Sequence, residues 1–556
     1  MKKIIYTTTI FATLLTGCNF LDDNPQGIMT EKEAISKADE LVTTAYSSLG
    51  NDHYDVPFSL WIYGNVRADD AYKGGQDVSD IQHFHFYEIA QNIDPTFGEA
   101  DRFWFMCYMA ISRTNTALKA LQQASDAEVA NRQSRMGEMY FLRGHFYFVL
   151  KTIFGHIPFV DENTPDSAYE TTPNTLPNDE QWQKIVADFK KAYDLLPNTQ
   201  PQKGRADKYA AAAYLAKAYL YKAYRQSENN SVTGINSQDL QEVLTYTSFA
   251  LGSSYGLEDD FAFNFLPGGY ENGKESMFAV QYSVDDGTQY GRLNWGDQLS
   301  APQKLGCCDF HKPSQNLVNA FKTVNGLPDF DNFNNNDYNA ANDKADPRLF
   351  HTVALPGLPY KYNAELIYKN DWNRNSNVYG FYASLKENVD PSCSCFRNIN
   401  PFRGNSKNRI LIRYADVLLM RAEALIELNR SNEALSLINQ VRQRAKQSTS
   451  MIPYATNTDI AVYQNGVNCT WNQEFARKAL RWERRLEFAM EGSRFFDLVR
   501  WGIADQVLND YFTKEKTRRP AIFSSAYFTK NKNEYIPIPQ NQIGYVKGIY
   551  KQNAGF

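Results

Sequence analysis

The stretch ILIRYADVLLMRAEALIELNRSNEALSLINQVRQRAKQ, residues 410–447, reads as two helices joined by a tight turn. Leu411, Tyr414, Leu418 and Leu425 repeat at helical spacing over 410–429, and Ala434, Ile438, Val441 and Ala445 do so over 432–447. Apolar residues three and four apart fall on one helix face. Asn429-Arg430-Ser431 supplies the turn, and Ser431 carries a good N-cap side chain. A hairpin that is apolar on one side cannot bury that side alone, so hairpins of this kind must stack on one another.

Working outward, the same pattern recurs. Helical pairs are expected at 101–123 with 128–153 and at 179–196 with 205–226, a short helix at 237–251 and a last long one at 471–491. Leu142, Phe146, Val149, Leu150 and Ile153 form one stripe, Gly155 reads as the C-terminal cap, and Pro158 blocks continuation. Ala210, Ala213, Tyr214, Lys217, Ala218 and Tyr221 give a helix with small residues, as close helix approach in tetratricopeptide hairpins requires. Between 255 and 405 the character changes to Gly268-Gly269, Asn334-Asn335-Asn336 and many aromatics, with a strand-like run at Ser276–Tyr282 and a helix at 314–323. Loops of this length are functional or disordered, and the aromatic content argues for packing. The expected fold is mainly α: tetratricopeptide-like stacked helical hairpins with a large irregular, loop-rich insertion. The expected divisions are 1–17, 18–254, 255–405 and 406–556.

The chain has 556 residues, more than one hydrophobic core usually supports. Its net charge of −5 offers no basic field for nucleic acid, so no such partner is expected. Lys2 and Lys3 precede a short apolar run, Ile4 to Leu15, too short to span a bilayer. The run ends in Leu15-Thr16-Gly17-Cys18, similar to the lipobox of bacterial lipoproteins, so residues 1–17 read as a signal peptide and Cys18 as the lipidated first residue. Cleavage there removes two lysines and takes the net charge to −7. Phe20-Leu21-Asp22-Asp23-Asn24-Pro25 resembles the start of lipoproteins exported to the cell surface. Disulfides are permitted in that compartment. The Cys307-Cys308 and Cys393-Ser394-Cys395 clusters allow a bridge between them, with connectivity left open by spacing.

Several segments are similar to signatures of the RagB/SusD family. The strongest is ERRLEFAMEGSRFFDLVRWG, residues 483–502. YIPIPQNQI at 535–543, IRYADVLLMRAEA at 412–424, NQVRQRA at 439–445, FLRGHFYF at 141–148 and FGHIP at 154–158 also match, in the family's order. The resemblance runs from residue 18 to about 545 and is weakest in the insertion at 255–405, where the family varies most. It implies a non-catalytic, lipid-anchored lid over a SusC-like, TonB-dependent outer-membrane β-barrel. That lid captures oligosaccharide or polysaccharide, occasionally peptide, and passes it to the barrel.

Glycan capture needs aromatic faces for sugar C–H groups and planar polar side chains for hydroxyls. Three segments combine these. The first holds Trp61, Tyr63, Arg67, Asp69, Asp70 and Tyr72; the second runs from Tyr282 to Trp295 with Asp285, Asp286, Tyr290, Arg292 and Asn294; the third holds Asp371, Trp372, Asn373, Arg374 and Tyr379. Two other readings stay in view. Glu487 and Glu491 lie one turn apart and invite a helical glycoside hydrolase. However, Arg484 with Glu487, Glu491 with Arg494 and Asp497 with Arg500 have ion-pair spacing, which favours a scaffold role. Stacked hairpins also suit a peptide-binding surface lipoprotein. His83-Phe84-His85, read as a strand, offers two imidazoles on one side, too few for a metal site. Asp329, Asp331, Asp337, Asp343 and Asp346 would admit a structural calcium, though not in EF-hand order. No other cofactor is expected.

Overall fold

The computed structural model describes residues 29–289, 291–400 and 402–556. Cys18, the signal-peptide segment and Phe20–Pro25 lie outside the described residues. Helix α1 (Ala38–Ser47) lies against α2 (Gly98–Gln123), and α2 pairs with α3 (Arg132–Phe154). The stack continues through α4 (Asn178–Leu195), α5 (Lys208–Ala223) and α6 (Ser237–Leu251), each packed on its predecessor. Helix α7 (Tyr414–Glu427) docks directly on α6, pairs with α8 (Ser431–Gln447), and both receive α9 (Gln473–Glu487). The hairpin array is therefore continuous in space across the insertion. No helix among the described residues is long and apolar enough to cross a membrane.

Local chemistry explains the elements. In α5, Ala210, Ala211, Ala212, Ala213, Ala216 and Ala218 are fully buried, so both neighbouring helices approach closely. Asp207 caps α5 by accepting the Ala210 N–H at 2.8 Å. Gly155 ends α3 at φ +74°, with its N–H donating to the Lys151 carbonyl at 3.0 Å.

Some expectations need correction. Residues 410–413 are not helical: Arg409–Arg413 is a strand paired antiparallel with Ser276–Val280 and runs straight into α7. The β-branched Ile410 and Ile412 favour this extended entry. Ser431 is the first residue of α8 and makes no capping bond; Arg430 precedes it and pairs with Glu433 at 2.7 Å. His83 and His85 lie in a helix, Gln82–Ile89, and turn to separate carboxylates, Glu99 at 3.3 Å and Glu88 at 3.0 Å. The acidic stretch does not converge either. Asp331 pairs with Lys478 at 2.6 Å, Asp337 with Arg518 at 2.7 Å and Asp346 with Arg348 at 2.7 Å. Among the described residues no group of three or more His, Cys, Asp or Glu could hold a metal ion.

The cysteine clusters do not bridge to each other. Cys307 bonds to Cys308 and Cys393 to Cys395. A non-reduced tryptic digest is expected to show one bridge inside the peptide 305–322 and the other inside 387–397. A peptide pair linking the two clusters in the mass spectrum contradicts this connectivity.

The charges of segment 483–502 find distant partners rather than helical neighbours. Of the three expected pairs only Asp497 with Arg500 forms, at 2.8 Å. Glu487 is buried among Arg348 at 3.0 Å, Arg413 at 2.9 Å and Arg444. Glu491 takes Arg413 and Lys386, at 2.9 and 2.7 Å, and Arg494 takes Asp69 at 2.8 Å. Arg484 joins Asp416 and Asp497, both at 2.8 Å. These pairs tie α7, α8, α9 and the insertion into one body.

The network sets an acid limit. Burial alone would raise the Glu423 carboxyl, but the Arg500 guanidinium holds it down at about 2. Burial likewise opposes the charge of Glu487, yet Arg444, Arg413 and Arg348 hold it well below the usual carboxylate range. A depressed carboxyl contributes stability in full above its unfolded value, about 4.3 for Glu, and loses it as pH falls through the folded value. The melting temperature is therefore expected to fall steeply between about pH 5 and pH 2. A flat profile over that range would show that these carboxylates are not charged partners.

Candidate ligand-binding site

The first predicted segment is interior. Residues Trp61–Val66 form a π-helical turn that is wholly buried. A Cβ on Gly64 would fall 1.9 Å from the Gly492 carbonyl oxygen, so the segment 483–502 seats directly on this turn. Trp61 is 2% exposed and Tyr72 1%; Tyr63, Asp69 and Asp70 are equally hidden. Asp69 pairs with Arg485 at 3.0 Å and Arg494 at 2.8 Å, Asp70 with Arg485 at 2.9 Å, and the Tyr72 hydroxyl donates to Glu515 at 2.8 Å. Trp61, Tyr63, Asp69, Asp70 and Tyr72 are thus corrected from surface ligand contacts to core. A buried ion-paired segment and a polar aromatic cleft share the same composition.

The third segment is also turned inward. Trp372, 6% exposed, packs on Tyr360 and Tyr368 with ring centroids 5.6 and 5.3 Å away. This apolar cluster is separate from the main core. Arg374 is half-buried and bound to Asp80 at 2.9 Å, while Asn373 accepts from Lys312 at 2.6 Å. Trp372 is therefore corrected to core, and Arg374 to a surface ion pair.

The second segment reaches solvent. Ser283 N–H donates to the Arg292 carbonyl at 2.9 Å and closes a loop over 283–292. Inside it, hydrogen bonds from Ser283 and then Thr288 hold the Asp286 carboxyl down at about 2. Tyr290 lies outside the described residues. Arg292 donates to the Ser47 carbonyl at 2.7 Å. Asn294 is buried, its N–H donating to the Asn405 carbonyl at 2.9 Å, and its side chain is corrected from solvent-facing to interior. Trp295 is half-buried, and no described residue accepts its indole N–H.

Opposite this loop stands a hairpin not anticipated from the sequence. Strand Phe396–Ile399 pairs with Phe402–Asn405, Ile399 facing Phe402. The Cys393–Cys395 bridge precedes it. Asp285 and Arg397 join loop and hairpin at 2.5 Å. Together they enclose an open cleft of about 380 Å³, lined by Asp285, Thr288, Gln289, Gly291, Arg397, Asn398, Ile399 and Asn400. Phe402, opposite Ile399 in the hairpin, stacks on Tyr54 at 5.9 Å with the planes 26° apart, both half-buried. Alternating Phe396, Asn398 and Asn400, followed by Pro401 and Phe402, was the available signal for this hairpin. Tyr54 gave none, because it approaches only in the folded chain.

A profile of the SusD family matches residues 274–556, and a second, described as starch-binding associating with outer membrane, matches 19–220. The chain belongs to the SusD family. SusD-like protein P2 of Formosa agariphila is 24% identical over the full length of both chains. A SusD superfamily protein from Bacteroides vulgatus superposes with a TM-score of 0.70 at 22% identity, covering 95% of this chain and 99% of that one. Surface glycan-binding protein A of Bacteroides thetaiotaomicron, solved with laminarihexaose, gives a TM-score of 0.65 at 20% identity over 93% and 98% of the two chains.

Proposed function

We propose that the chain is a non-catalytic glycan-binding lipoprotein of the outer cell surface. It captures oligosaccharide or polysaccharide in the cleft between loop 283–292 and hairpin 396–405. It then hands the glycan to a SusC-like, TonB-dependent outer-membrane transporter. The observation that carries this reading is the cleft itself, an open groove lined by planar amide and guanidinium groups, with half-buried Phe402 facing the lining residue Ile399 across the hairpin. A neighbour of the same fold was solved with a glycan. The carboxylates that could have suggested hydrolysis support binding instead: Glu487 and Glu491 are each neutralised by cations and sit away from the cleft lining. Cys18 supplies the anchor in this reading.

A glycan array probed with the chain starting at residue 19 tests the substrate class. Retention on one oligosaccharide type, with no shortened product after long incubation, is expected. Specific turnover, or capture of peptides without any glycan, would overturn the reading.

A further inference from the structure

A second cavity of about 160 Å³ lies between the helical stack and the segment carrying Asn294. A cavity of roughly 150 Å³ holds one benzene-sized body. One wall is apolar and comes from Trp61, Phe148, Val149, Tyr214, Phe265 and Phe496. Thr152, Tyr221 and Phe496 line a smaller cavity as well, so the apolar end continues toward Trp182 and Tyr535. Half-buried Lys217, Tyr221, Leu411 and Ser493 are also in the lining and mark where the cavity meets solvent.

The opposite wall is charged, and its pairing is incomplete. Four cations line the cavity, Lys217, Lys386, Lys407 and Arg409, against three anions, Asp297, Glu387 and Glu491. Three of the cations hold a carboxylate: Lys217 takes Asp416 at 3.3 Å, Lys386 takes Glu491 at 2.7 Å and Arg409 takes Asp52 at 2.9 Å. Lys407 is 6% exposed, and no described residue accepts a hydrogen bond from its ammonium group. The Oδ1 atoms of Asn264 and Asn294 are unpaired but sealed off, whereas the Lys407 Nζ keeps accessible surface. The three anions are already engaged. Asp297 accepts from Asn294 at 2.7 Å, Glu387 from His311 at 2.8 Å and Glu491 from Arg413 at 2.9 Å. The cavity therefore offers an ammonium without an acceptor and no carboxylate without a donor. A buried ammonium left unpaired is costly, and a guest carboxylate relieves it through charge-assisted hydrogen bonds.

We propose that this cavity binds a small organic monocarboxylate whose apolar body is about the size of a benzene ring. The carboxylate accepts from Lys407, and the body lies on Trp61, Phe148 and Phe496. A neutral sugar meets neither requirement, having no charge for Lys407 and no wholly apolar body. The site is separate from the surface cleft, and the two share no lining residue.

Calorimetric titration of the full mature chain with benzoate, benzyl alcohol and acetate tests this. Saturable one-to-one binding of benzoate is expected. Benzyl alcohol, which lacks the charge, and acetate, which lacks the apolar body, are each expected to bind more weakly by about tenfold or more. Lys407→Met is expected to weaken benzoate by a similar factor and to leave benzyl alcohol unchanged. Should that variant fail to fold, a crystal of the unaltered chain soaked in benzoate decides: a ring inside the cavity with its carboxylate on Lys407 supports the proposal, and a ring seated only elsewhere overturns it. Absence of saturable benzoate binding, benzyl alcohol or acetate bound as tightly as benzoate, or undiminished benzoate affinity in folded Lys407→Met also overturns it.

Discussion

Replacing Glu487 with alanine is expected to destabilise the protein by about 3–5 kcal/mol, the range for removing one partner of a buried charge cluster. Glu487 is wholly buried and faces Arg348, Arg413 and Arg444. The loss of one carboxylate leaves three guanidinium groups sharing Glu275, Glu483, Glu491 and Asp346. Desolvation of unpaired charge, more than loss of attraction, sets the size of the effect. Glu487→Gln keeps the shape and one of the two acceptor oxygens but not the charge, and is expected to cost less. Guanidinium unfolding followed by near-ultraviolet circular dichroism measures both. A change below about 1 kcal/mol for the alanine variant would place the network among surface-like pairs that contribute little.

Truncating the aromatic rim of the cleft is expected to remove most glycan affinity while leaving the fold intact. Trp295 follows the loop that closes at Arg292, Phe402 faces the cleft residue Ile399 across the hairpin, and both are half-buried, so each keeps exposed surface for a ligand. A buried aromatic anchor at a binding surface is worth about 2 kcal/mol on truncation, roughly 30-fold in affinity. Trp295→Ala is expected to weaken binding by about that factor, and the double variant with Phe402→Ala further. Trp372→Ala serves as the contrast. Its ring is packed on Tyr360 and Tyr368, so its removal is expected to lower stability, by about 3 kcal/mol or more, and to leave affinity per folded molecule unchanged.

Period explains what was legible from sequence. The stripe at Leu142, Phe146, Val149 and Ile153 and the small residues of 210–218 specify helices and their close approach without reference to the rest of the chain. The family signature added the order of the hairpins. Contacts made only across the fold were not legible. Glu491 and Arg494 have helical pairing distance, yet their partners are Arg413 and Asp69, on other elements. Trp61–Tyr72 and Trp295 look alike in composition, and only the close seating of Gly492 on the 61–66 turn separates core from surface. Phe402 and Tyr54 are far apart in sequence, and their stacking exists only once loop and hairpin meet.

The most direct measurement is calorimetric titration of the chain starting at residue 19 with the oligosaccharide selected by array, for the unaltered protein and for Trp295→Ala/Phe402→Ala, with chromatography of the ligand afterwards. Saturable binding, intact ligand and a loss of at least 30-fold in the folded double variant are expected. Undiminished affinity in that variant, or shortened ligand from the unaltered protein, would contradict capture without catalysis in the cleft between loop 283–292 and hairpin 396–405.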